Sequence, residues 1–168
     1  MNMWTARRIL REIADDDRRH RILRAFWRYA DAPTKAVAVA HLAKAMHFRD
    51  ETMRKMSIEK KSDLLASRIG SAEFEQTFET ALMQYHTHEA NAMMAAFLDR
   101  WSIPHVNGSI EVDDYKTPSI AAVRDAVREL NFDSRDVALY LASAGLLMGD
   151  LWREVTWPVV EELTHASS

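Results

Sequence analysis

Between Ser71 and Trp101 the apolar residues Phe74, Phe78, Leu82, Tyr85, Ala92 and Ala96 recur at steps of three, four or seven. That is the spacing of one buried helical face, since a helix turns once every 3.6 residues. A pattern this long has no counterpart in a half-buried strand, which alternates with period two. It commits the chain to helix packing.

The flanking segments agree. Thr5 is placed to cap a helix through I-L-R-E-I, followed by the triple Asp15-Asp16-Asp17. Asp is a poor interior residue but a good cap, so either one helix runs through the triple or a second starts there. Pro33 falls early in the next helix, which contains K-A-V-A-V-A-H-L-A-K-A-M. Ser57 is placed to cap another helix, with Gly70 as its stop. Thr117-Pro118 and Asp133 mark later helix starts, and Pro158 begins or kinks a final short helix. The fold expected is an all-α, single-domain bundle of six to eight helices. A weak subdomain seam falls at 68–71, where the charge changes sign.

The stretch I-P-H-V-N-G-S-I-E-V, residues 103–112, departs from this pattern. Asn107-Gly108 between β-prone runs is a two-residue hairpin signal. Its inward face would hold Ile103, His105, Ile110 and Val112. Pro104 lacks an N–H and should end the ladder early. A clipped, hairpin-like segment is therefore expected near 103–112.

Composition excludes several chemistries. The absence of cysteine removes disulfides, thiolate metal sites and a Cys nucleophile, and fits a reducing, cytoplasmic setting. Gly70, Gly108, Gly145 and Gly149 are too scattered to cradle a phosphate, and no G-x-G-x-x-G or G-x-x-x-x-G-K run occurs. No G-x-S-x-G elbow presents a serine nucleophile. The most apolar run, Val137 to Gly149, is too short to span a bilayer, so no membrane role is expected. No cofactor is expected, and the residues point away from an enzyme.

Charge is uneven: residues 1–67 carry a net +6 and residues 68–168 a net −9. The two halves can attract each other, or the basic half can meet nucleic acid or an acidic partner. Arg7, Arg11, Arg18, Arg21 and Arg28 would form a stripe if one helix continued through the aspartates. Residues 41–56 resemble a helix-turn-helix in the spacing of Leu42, Met46, Phe48, Met53 and Met56, with His47 replacing the usual turn glycine. That resemblance implies DNA contact through Thr52, Arg54 and Lys55.

Glu75, Glu79, His86 and Glu89 roughly share a face, and Glu162-x-x-His165 appears near the end of the chain. Four-helix metal proteins place carboxylates and Glu-x-x-His elements inward at such spacings. Ala138, Ala142, Gly145 and Gly149 form a small-residue stripe for close helix packing, with Ala36, Ala40 and Ala43 as a matching stripe. Five tryptophans and nine methionines suit adaptable interfaces. The leading functional expectation is a non-enzymatic interaction or regulatory domain that binds a protein partner or itself. A DNA-binding regulator stands second and a carboxylate/histidine metal protein third. The polar connection with His105, Asp114 and Tyr115 is the expected interaction loop.

Overall fold

The computed structural model describes residues 3–166. Among them the regular structure is helical throughout: α1 Ala6–Glu12, α2 Asp16–Tyr29, α3 Ala32–Met46, α4 Asp50–Arg54, α5 Ile58–Ala66, α6 Glu75–His88, α7 Asn91–Arg100, α8 Ile120–Leu130, α9 Ser134–Leu147 and α10 Asp150–Ala166. A 3₁₀ turn, Ala72–Phe74, precedes α6. The all-α class is as expected, but ten α-helices exceed the six to eight foreseen. The surplus comes from breaks that apolar spacing does not report. The long 71–101 pattern is two helices, with Ala90 out of the helical region between them. Among the described residues no helix is long and apolar enough to cross a membrane.

The chain divides into two compact units, Ala6–His88 and, among the described residues, 3–5 with 89–166. Residues 68–71 lie inside the first of these.

In the unit Ala6–His88, α2 is the central helix and packs on α5 and α6. Its buried face is Ile22, Leu23, Phe26 and Trp27, one side of the helix. Burying a side chain of this size is worth about 1.5–3 kcal/mol. The helix starts at Asp16 because Asp15 accepts the Arg18 amide at 2.9 Å. The aspartate triple is therefore a break, and the arginine stripe does not continue through it. Arg18 instead pairs with Asp15 at 2.7 Å, and Arg21 with Asp17 at 3.1 Å. Asp31 caps α3 and Ser57 caps α5, each accepting the amide three residues on.

His20 adds a pH-sensitive link in this unit. Its Nδ1 faces the Asp16 carbonyl at 2.9 Å and its Nε2 faces the Asp63 carboxylate at 2.7 Å. Both ring nitrogens meet acceptors, so the doubly protonated ring is favoured, and the Asp16 and Asp63 hydrogen bonds raise its pKa above 6.5. The bound proton stabilises the fold fully below pH 6.5, and this contribution is lost as pH rises through the higher folded value. Solvent screening at this half-exposed site limits it to a few tenths of a kcal/mol, roughly. Urea midpoints at pH 5.5 and pH 8.5 should differ less in His20→Ala than in the parent. An unchanged pH dependence would show the link to be inert.

In the second unit, α9 and α10 are joined through Met148 and Gly149, whose φ of +100° suits glycine. α9 is buried without interruption from Val137 to Gly145 and packs on α10. The small-residue stripe is met here by Trp157 and Thr156 of α10, the nearest side chains to Gly145. Trp157 donates its Nε1–H to the Ala142 carbonyl at 3.1 Å. Pro158 neither starts nor ends a helix; α10 runs through it. α8 is capped by Ser119 rather than by Thr117.

The hairpin-like segment expected at 103–112 does not form, and only its tight turn is present. Val106 and Ser109 exchange both hydrogen bonds, at 2.9 and 3.0 Å, around Asn107 and Gly108 at positive φ, a type I′ turn. Pairing stops at that single bridge, and no strand forms among the described residues. Ile103 and Ile110 do turn inward, against Leu98, Trp101 and Trp152. Val112, expected beside them, is 41% exposed because the ladder never reaches it.

Candidate functional site: a cation-lined cleft

The most distinctive surface lies in the unit Ala6–His88, where α2, α3, α4 and α5 border a half-open cleft of about 350 Å³. Trp27 near the end of α2 forms its base, and Ala36 and Val39 of α3 form an apolar wall. Its cations come from three helices: Lys35 of α3, Arg54 of α4 and Lys61 of α5. The Lys61 ammonium lies 4.6 Å from the centre of the Trp27 ring, a cation–π arrangement. Burial pushes the pKa of Lys61 down, and neighbouring Lys35 pushes it further.

These cations differ from the basic residues around them. Arg24 pairs with Glu59 at 3.2 Å, and Lys55 with Glu51 at 3.0 Å. Among the described residues no carboxylate lies within ion-pairing distance of Lys35, Arg54 or Lys61. Asp31 acts on Lys35 only from beyond that distance, while Lys35 and Lys61 repel each other, and this repulsion favours an anion beside them.

The α3 helix carries a second feature. Its sequence is apolar almost all round, as in a helix enclosed on every side. Yet Ala32, Pro33, Ala36 and Val37 face solvent, Val37 with 55% of its surface exposed. Beyond that ridge, His41 and Thr34 border a shallow polar hollow of about 190 Å³ with Glu73, Thr77 and Thr80. The outward face of α3 is thus an apolar ridge between two depressions.

The residues singled out from the sequence fall as follows. The 41–56 segment does make a helix–turn–helix corner, and His47 adopts the left-handed conformation, φ 57°, that glycine usually provides. Its second helix, α4, has only five residues, roughly 7.5 Å of axis, which is short for lying along a groove. Thr52, Arg54 and Lys55 are exposed on it, but Asp50 and Glu51 occupy its first turn, where a phosphate would be repelled.

Glu79 is half-buried, and burial with nearby Glu75 raises its pKa. His86, on the same helix, is buried with Nδ1 2.9 Å from the Leu82 carbonyl. Glu89 follows α6 and is exposed. Glu162 is held by Arg124 in a two-pronged ion pair, and exposed His165 lies one turn further on. Among the described residues no group of three or more His, Asp or Glu side chains converges as a metal site would require.

In the expected interaction loop, the Nδ1 of His105 accepts the Gly108 amide at 3.1 Å, and its Nε2 donates to Asp99 at 2.6 Å. The Tyr115 hydroxyl accepts the Trp152 indole N–H at 2.9 Å, while Asp114 is exposed. His105 and Tyr115 therefore tie the loop down, and only Asp114 is presented outward.

Sequence reasoning reached Arg54 for another reason and missed Trp27, Lys35 and Lys61. They stand on separate helices at separations that no periodicity connects. The available hint was Lys35 as the lone cation in an otherwise apolar half-helix. Comparison with known protein families, curated proteins and solved structures finds no match for this chain.

Proposed function

We propose that this chain acts by binding rather than by chemistry, as an interaction or regulatory domain, with the outward face of α3 as its contact surface. The single observation that carries the reading is the exposed ridge of Ala32, Pro33, Ala36 and Val37 on a helix whose composition suits enclosure. Its occupant on this reading is a partner protein or a second copy of the chain. A cysteine-free sequence fits the reducing cytoplasm as the place of action.

A photo-crosslinking residue at Ala36 should give a discrete adduct in cells, whereas one at exposed Glu154 of α10 should not. The Ala36 adduct should vanish on Val37→Asp, which buries a charge in the contact. Its mass separates a second copy from a different protein. No adduct at Ala36, with a chain that stays monomeric at high concentration, would overturn the reading. Salt-sensitive duplex-DNA binding abolished by Arg54→Ala would replace it with the DNA-binding alternative.

A further inference from the structure

The cleft beside the ridge has features that an interaction surface does not require. Its walls are largely carbon, from Trp27, Ala36 and Val39, and its volume of about 350 Å³ is at the lower end of small-molecule sites. Three cations border it with no carboxylate within ion-pairing distance among the described residues. Inside a well-packed fold, surface arginines and lysines ordinarily spread apart or find acids, as Arg24 and Lys55 do.

We propose that this cleft is a binding site for a small organic anion: a carboxylate or phosphate head on a flat apolar body. The body lies along the exposed Ala32 and Ala36, above the largely buried Trp27 and Val39, and the head is held by Lys35, Arg54 and Lys61. Charge complementarity sets the sign of the ligand, and the carbon walls set its body. Inorganic phosphate alone would satisfy the cations and leave the apolar wall uncovered, so the site should discriminate strongly against it.

Lys61 has two roles in this arrangement. Its ammonium sits over the indole and is brought beside Lys35 in a partly desolvated position, where a charge-assisted hydrogen bond is stronger than in water. Arg54 can grip either kind of head with two parallel N–H donors. Because Lys35, Arg54 and Lys61 come from α3, α4 and α5, one ligand would bridge three helices of the unit and raise its stability by mass action. The site does not depend on α3 meeting a protein partner, and the two readings fail separately.

The test is calorimetric titration of the full chain with 2-naphthoate, 2-naphthyl phosphate, 2-naphthamide and inorganic phosphate. Both naphthyl anions should bind at one site, at least tenfold tighter than neutral naphthamide or inorganic phosphate. Lys61→Met keeps an unbranched apolar chain and removes the charge; with Lys35→Met it should weaken the naphthyl anions at least tenfold. Circular dichroism and the urea midpoint of that double variant report whether it is folded, and Arg54→Gln, at an exposed position, gives an independent loss of fivefold or more. Binding of the amide as tight as that of the acid would overturn the proposal. So would no binding up to millimolar concentration, or binding unchanged in both variants.

Discussion

Gly145→Ala should destabilise the second unit by about 2–3 kcal/mol, although alanine is the better helix former by roughly 1 kcal/mol. A Cβ at this position would lie 2.3 Å from Nε1 and 2.5 Å from Cδ1 of Trp157, and 2.7 Å from the Thr156 hydroxyl. None of these atoms is the end of a flexible chain. Trp157 is fully buried, is held by its hydrogen bond to Ala142, and carries Arg153 over its ring at 4.7 Å. Overpacking must therefore push α9 and α10 apart, and the propensity gain is outweighed. Chemical unfolding should show a lower midpoint at unchanged slope. Combining Gly145→Ala with Trp157→Phe should restore part of the loss relative to the sum of the single changes, because the two occupy one contact. A neutral or stabilising Gly145→Ala would show that the helices do not approach this closely.

The second large effect is at Glu75. Its carboxylate accepts the backbone N–H of Ala6 at 2.5 Å and of Arg7 at 3.3 Å, and pairs with the Arg7 side chain at 3.0 Å. Arg7 continues to the Gly70 carbonyl at 3.1 Å. One acid thus caps α1 from 69 residues away in sequence and meets the positive end of that helix. Glu75→Ala should cost about 2–3 kcal/mol, since it leaves a partly buried amide and a guanidinium without their acceptor. Glu75→Gln keeps an acceptor oxygen and should cost less, about 1 kcal/mol. Hydrogen exchange at Ala6 and Arg7 should accelerate in both variants more than exchange in α6 itself. Equal exchange rates at Ala6 and Arg7 in parent and variants would rule out the cap.

The role of Glu75 shows where sequence reasoning stops. On the helical wheel it sits beside Glu79 and toward His86, which made a metal-binding face a reasonable expectation. In the structure its partner is the start of α1, while Glu79 is half-buried and Glu89 is exposed. The arginine stripe failed for a related reason. α1 ends at Glu12 and Asp15 starts the next helix, so residues spaced correctly for a single helix no longer share an axis. The helix-turn-helix expectation located a real corner, with His47 at the left-handed position. The length of α4 was not legible, because the apolar spacing through Met53 and Met56 is the same whether the helix stops at Arg54 or continues.

What the amino-acid sequence determined by itself is local. It specified helix as the dominant regular element, through period-3.6 apolar spacing. It specified several starts, through Ser57 and Asp133, because a capping oxygen needs only the amide two or three residues ahead. It also specified the Asn107-Gly108 turn, which depends on two residues that tolerate positive φ. Tertiary structure alone decided which helices pair, that Gly145 receives Trp157, that Glu75 caps α1, and that Trp27, Lys35, Arg54 and Lys61 border one cleft. These are meetings between residues 7 to 69 positions apart, set by the packing of whole helices, and no rule of local spacing encodes them.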